Sequence, residues 1–150
     1  MGTAKVKTDG TWSVSKSMTA GPQTVAVTAT DAAGNLSLAT VRSFVVDATP
    51  PTVKFTTSDG TTFLPTQAFT VAGQAGDATG IDRVVVQFVD ATTGAVAATV
   101  VATCTGCGAS ATSVTWSASP EVDPGRYRVT ATAFDVPGNA TSATIGVTRL

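Results

Sequence analysis

The chain of 150 residues contains no histidine, which removes the commonest general base and the commonest side-chain metal ligand together. Glutamate occurs once, as Glu121, and leucine four times, so strong helix formers are scarce. Only 13% of residues are charged and the formal net charge is −1, so no field draws the chain to nucleic acid or to anionic lipid. No apolar run reaches the ~18 residues that a membrane-crossing helix needs, and no membrane insertion is expected. There is no Gly-x-Ser-x-Gly elbow, no phosphate-binding glycine loop, no His-Glu-x-x-His and no dinucleotide fingerprint. A glycosidase-type carboxylate pair would have one glutamate and turn-sited aspartates to draw on. The expectation is a protein that is not an enzyme and requires no cofactor. The opening MGTAKVKTDG carries no apolar signal segment, which fits a cytoplasmic protein or a piece of a longer secreted one.

What is present is threonine, with 29 copies, and a hydrophobic fraction of 43% made mostly of alanine and valine. Such a composition favours pleated, half-buried strands. It is also written twice. GRYRVTATAFDVPGN, Gly125 to Asn139, follows GPQTVAVTATDAAGN, Gly21 to Asn35, at an offset of 104 residues that holds back to Trp12 and Trp116. Over Trp12–Asn35 against Trp116–Asn139, ten of 24 positions are identical. A period near 100 is too long for a solenoid repeat and suits one β-sandwich domain. The repeat predicts like surroundings for Trp12 and Trp116.

Taken in order, residues 1–47 read as three strands, Thr11–Lys16, Gln23–Thr30 and Ala39–Val46, with turn signals between them. The offset sets Met1 against Thr105, so this part corresponds to the C-terminal half of a domain. Three strands with one apolar face are marginal alone. Residues 48–51 are a short linker stiffened by Pro50-Pro51. Residues 52–150 read as a complete domain of seven strands: Val53–Thr57, Ala68–Gly73, Ile81–Val89, Ala95–Thr103, Ala111–Ala118, Arg126–Phe134 and Thr141–Thr148. Period-2 alternation, clearest where Val84, Val86 and Phe88 alternate with Arg83, Val85 and Gln87, predicts antiparallel sheets with one buried face. The fold class is all-β, an antiparallel β-sandwich.

GTWSV, then G-x-x-x-V-x-x-T-A-x-D-A-A-G-N, then VVDATPPTV resembles the tandem bacterial immunoglobulin-like repeats of large surface adhesins and biofilm proteins. The likeness is carried by residues 10–53 and, less fully, by the DATGIDRVVVQF stretch. It implies an immunoglobulin-like Greek-key sandwich and a stalk or spacer module in a secreted or cell-surface protein. Its partners would be neighbouring immunoglobulin-like domains, and in some relatives calcium stiffens the joints. The chain departs from a plain repeat in the Cys pair of the second copy and in its ending, VTRL, with no following D-x-T-P-P.

Four sets of residues are candidates for more than folding. Cys104 and Cys107 lie between two β-runs and lack the further ligands a zinc site needs. A disulfide closing a tight loop suits them, in an oxidising compartment, with a free thiol pair or a redox role as alternatives. Antiparallel alternation brings Asp47, Asp77, Asp82, Asp135 and Asn139 toward one pole of the second domain. They could supply oxygens to calcium, where an ion would lock the joint, or simply form turns. Trp12, Trp116 and Tyr127 could make a sugar platform, but their alternating face assigns them to a structural core. Phe63 and Leu64, read as part of a loop, are candidates for an outward contact with a glycan or protein ligand. Asn35-Leu-Ser37 and Asn139-Ala-Thr141 match the glycosylation sequon, read here as by-products of the Gly-Asn turn. Finally, the unpaired edges of the first part invite pairing with another copy of the chain, so a filament built by strand exchange stands as an alternative.

Overall fold

The computed structural model describes residues 2–108 and 111–150. Eleven strands and no helix occur among the described residues. The chain divides into two units, Met1–Asp47 and Ala48–Leu150.

The first unit holds two strands, β1 (Gly21–Val27) and β2 (Thr40–Val46), paired antiparallel. The expected strand at Thr11–Lys16 is absent: these residues have no ladder partner. The physical reason lies in the second unit, where the corresponding strand is bonded on both sides, whereas β1 and β2 are the first unit's only described strands. A strand with no neighbour has no place for its backbone hydrogen bonds. Trp12 is correspondingly 49% exposed, against 2% for Trp116. The assignment of Trp12 to a core is therefore corrected, and the two tryptophans do not share surroundings. Trp12 instead borders an open hollow of about 420 Å³ with Val25, Val27 and Ala29.

The hairpin itself carries a slip. Near its turn Ser37 donates its backbone N–H to Ala29 O at 2.8 Å, yet Val27 stands opposite Thr40. One more residue lies on the second arm than on the first, a bulge at Leu38–Ala39 that leaves Leu38 94% exposed. A one-residue slip exchanges the faces of a strand. Val25 consequently pairs with Arg42, while its counterpart Val129 pairs with Ile145.

The second unit is a two-layer sandwich of β3 (Thr52–Phe55), β4 (Thr61–Phe63), β5 (Val71–Gly76), β6 (Ile81–Asp90), β7 (Val96–Val101), β8 (Thr103–Thr105), β9 (Ser113–Ala118), β10 (Gly125–Asp135) and β11 (Ala140–Arg149). One sheet runs β3-β5-β9-β8 and the other β4-β11-β10-β6-β7, the strand division of immunoglobulin-type sandwiches. Alternation in β6 is as expected, with Val84, Val86 and Phe88 fully buried. Val71, Val114, Trp116, Tyr127 and Val129 complete the core between the sheets. Pro51, at the end of the expected linker, is itself fully buried.

Two features depart from the sequence reading. The strand expected over Ala95–Thr103 breaks at buried Ala102, whose N–H bonds to Val84 O at 2.9 Å. The chain there leaves the β6 sheet as β7 and enters the β9 sheet as β8. The second departure is β4, which pairs parallel to β11 in an otherwise antiparallel arrangement, over residues expected to be loop.

Candidate functional site

Three loops of the second unit meet at one pole, and backbone bonds fix them there. Asp77 N–H bonds to Thr112 O at 3.0 Å, Gly108 N–H to Ile81 O at 2.8 Å, and Val136 N–H to Gly80 O at 3.1 Å. Asn139 Nδ2 reaches Thr49 O at 3.5 Å. The loop after β5, the loop after β8 and the turn between β10 and β11 therefore converge, as antiparallel alternation requires.

The turn between β10 and β11 is built by Asp135. Its Oδ1 accepts the N–H groups of Gly138 at 2.7 Å and Asn139 at 2.6 Å. Its Oδ2 accepts Asn139 Nδ2 at 2.8 Å. The carboxylate is 1% exposed, the single buried charged side chain of the described core, and its donors offset the cost of that burial. Asp77 performs the same kind of work on a smaller turn, accepting from Thr79 N–H at 2.8 Å and Thr79 Oγ1 at 2.7 Å. The two carboxylates come within 4.8 Å of one another. Calcium takes about six to eight oxygens, of which this pair offers a part.

Asp82 does not join them. The β6–β10 ladder passes from the Phe134–Arg83 pair to the Asp135–Ile81 pair, skipping Asp82, which pairs instead with its half-exposed neighbour Arg83. Asp47 is the last residue of the first unit. Cys104 and Cys107 form a disulfide, with Cα atoms 5.7 Å apart. It closes the loop whose Gly108 is tied to β6.

The aromatic candidates also separate. Trp116 is edge-on to Phe55 at 5.2 Å between centroids and covers Gly73, where an added Cβ would meet the indole at 2.3 Å. Its Nε1 is buried with no hydrogen-bond partner among the described residues. Tyr127 is buried, and its hydroxyl donates to Asp123 O at 2.6 Å. Burial chiefly raises its pKa above 10.0, with the charges of Asp90 and Asp123 adding and Arg149 opposing. Phe63, expected to face outward, packs against Phe69 at 4.9 Å between centroids, because β4 turns it toward the core. Leu64 is 49% exposed.

The reading from sequence missed two tied pairs. Gln23 Nε2 donates to Thr19 O at 2.9 Å, four residues back, as Tyr127 does to Asp123. The other is Asp59, whose carboxylate accepts Gly146 N–H at 2.6 Å across 87 residues. The 104-residue offset aligns Gln23 with Tyr127, but the residue types differ. Nothing local marks Asp59 as more than a turn former.

No protein-family model matches the chain, and no curated protein matches it. Among solved structures it is similar to a tetra-tandem repeat in the extending region of a large adhesion protein. The identity is 26% and the TM-score 0.46, over 98% of this chain and 37% of that one. It is also similar to CopC from Methylosinus trichosporium OB3b, at 14% identity and a TM-score of 0.42, over 65% of this chain and 93% of that one.

Proposed function

We propose that the chain is a non-catalytic spacer from a secreted or cell-surface bacterial protein of adhesin or biofilm-stalk type. The observation that carries this reading is the repeat at the level of bonds. Asp31 and Asp135 each bond their N–H to the asparagine carbonyl four residues on, at 3.0 Å in both units. Each accepts that asparagine's N–H and Nδ2 on its carboxylate. A hairpin so reproduced on either side of Pro50-Pro51 belongs to a tandem array, and a tandem array's product is length. The Cys104–Cys107 disulfide supports an oxidising, extracellular setting. On this reading the first unit is the C-terminal half of a sandwich like the second.

Small-angle scattering on a chain extended upstream by one whole domain tests the reading. A maximum dimension that grows by about one domain length per domain is expected. A compact particle with side-by-side domains would remove the spacer role. Calcium held by Asp77 and Asp135 would fasten two turns together at one pole of the second unit. A rise in Tm with millimolar calcium, reversed by chelator, supports the ion. An unchanged Tm removes calcium and leaves the spacer intact.

A further inference from the structure

The five-stranded sheet turns one face to the core and the other outward. On β10, Tyr127, Val129 and Ala131 are buried, so alternation sets Arg126, Arg128 and Thr130 on the outer face. Strand register carries the row of Thr130 across the sheet. Thr130 stands opposite Thr144 on one side and Gln87 on the other, and Gln87 stands opposite Thr99. Arg128 stands opposite Gly146, which has no side chain to shield it. The Thr130 and Thr144 hydroxyls share one hydrogen bond at 3.0 Å, which leaves the pair one hydroxyl proton and several lone pairs to offer.

The fold makes no use of the two guanidinium groups. Both arginines are exposed, and neither makes an ion pair or a side-chain hydrogen bond among the described residues. Carboxylates bordering the face are engaged elsewhere. Asp90 accepts Thr92 N–H and Thr93 N–H at 2.8 and 2.7 Å, Asp59 accepts Gly146 N–H at 2.6 Å, and Asp82 is held by Arg83. The 104-residue offset sets Pro22 and Thr24 against Arg126 and Arg128, so the hairpin of the first unit forms without either charge. In a chain of net charge −1, two such groups about 7 Å apart along one strand are a local excess of positive charge.

Chemistry narrows the ligand to a sugar chain that carries carboxylates. A guanidinium fork meets a planar carboxylate through two parallel N–H···O bonds. The threonine and glutamine side chains beside it offer donors and acceptors to ring hydroxyls. A nucleic acid would need aromatic platforms for its bases, and Phe134, near one end of this face, is covered by the Arg83 guanidinium at 4.2 Å from the ring centroid. A protein partner would need an apolar centre, whereas the middle of this face is the polar row of Thr130.

We propose that the outer face of this sheet binds an acidic polysaccharide of the polyuronate class, with Arg126 and Arg128 on its carboxylates and Thr130, Thr144, Gln87 and Thr99 on its hydroxyls. The site goes beyond the spacer reading and belongs to the second unit alone.

Titration calorimetry of the full chain with a sodium polyuronate, at about 50 mM salt and with a chelator present, tests the site. The chelator keeps calcium from bridging Asp77 or Asp135 to the polymer. Binding is expected to the polyuronate and not to a neutral glucan of equal length, and it should weaken as salt is raised. Arg126→Ala and Arg128→Ala should each weaken it about three-fold or more, and the double variant about ten-fold or more. These variants should keep the native urea midpoint, since both side chains are exposed. Arg128→Lys, which keeps the charge and loses the fork, should bind more weakly than the native chain. Lys54→Ala, on the other sheet, should bind as the native chain does. The proposal is overturned by absence of binding, by binding that survives the double substitution, or by equal affinity for dextran sulfate, duplex DNA and anionic vesicles, which would mean charge alone. Compact, side-by-side domains in scattering would remove the spacer role and leave these affinities as they are.

Discussion

Tyr127 shows how much one hydroxyl arranges. Its bond to Asp123 O fixes the entry of the chain into β10 and satisfies a buried polar atom. Gln23 makes the corresponding bond to Thr19 O in the first unit, so the position selects a long side chain with a donor at its tip. Tyr127→Phe should cost about 1 kcal/mol of second-unit stability, read as a lower urea midpoint at unchanged slope. The same residue sets an alkaline limit. Below pH 10 the phenol is neutral in folded and unfolded chains, and its contribution is fully present. Burial raises the folded pKa, so above that pH the unfolded chain ionises first and stability falls as pH rises toward the folded value. Urea midpoints between about pH 8 and 11 should decline for the native chain more steeply than for the Phe variant. Gly73 makes the opposite point, through an atom it lacks. A Cβ there would lie 2.2 Å from Lys54 O and 2.3 Å from Trp116. Neither can withdraw, since one is backbone and the other is packed against Phe55. Gly73→Ala should therefore destabilise by about 3 kcal/mol, measured as a fall in the second unit's Tm.

Among the elements, the Asp-x-x-Gly-Asn turn is the most portable, because every bond it needs is local. Gly34 and Gly138 take the same left-handed backbone, with φ of 89° and 103°, and the carboxylate bonds to the asparagine match, while Asp31 also accepts Ala33 N–H and Asp135, with the N–H-less Pro137 at that place, accepts Gly138 N–H. Burial differs as well: Asp31 is exposed and Asp135 is not. Asp135→Ala, which takes the buried acceptor from part-buried N–H groups, should cost about 2–3 kcal/mol, and Asp31→Ala about 1 kcal/mol or less, compared by the unfolding transitions of the two units. The same contrast explains what could be read beforehand. β6 and β10 announce themselves by alternation, and the turns by Gly, Asp and Asn, all within a few residues. The pole that gathers Asp77 and Asp135 follows from counting antiparallel strands. β4 was not legible, because three residues before Pro65 carry no period and become a strand only through β11, some 85 positions on. Asp82 was misplaced because a bulge opposite Phe134 and Asp135 turned it out to Arg83. The split at Ala102 and the slip at Leu38 likewise depend on partners distant in sequence.

At the scale of the whole chain, the first unit has one sheet where the second has two. Val25, Val27 and Ala29 occupy the positions of Val129, Ala131 and Ala133, which the β3-β5-β9-β8 sheet covers. A hairpin alone is marginal. Taking Trp12 from 49% exposure to full burial would contribute about 3 kcal/mol, from roughly 120 Å² at about 25 cal/mol/Å². On the reading of the first unit as half of a sandwich, a second copy of the chain is a poor source for the other sheet. To give up β3, β5 and β9 it must unseat Phe69, Val71, Val114 and Trp116 from its own core. Sedimentation should accordingly find no concentration-dependent assembly. The better source is an additional half domain of the same chemistry, joined upstream. A chain extended before Met1 with a second copy of residues 52–104 should shift Trp12 fluorescence to the blue and protect the β1–β2 amides from hydrogen exchange. A scrambled extension should do neither. Gln23 in place of Tyr127, and Arg42 turned inward by the slip at Leu38, make the fit imperfect, so deleting Leu38 should strengthen it. Emission from Trp12 unchanged in every extended chain would show that the first unit is not half of a sandwich at all.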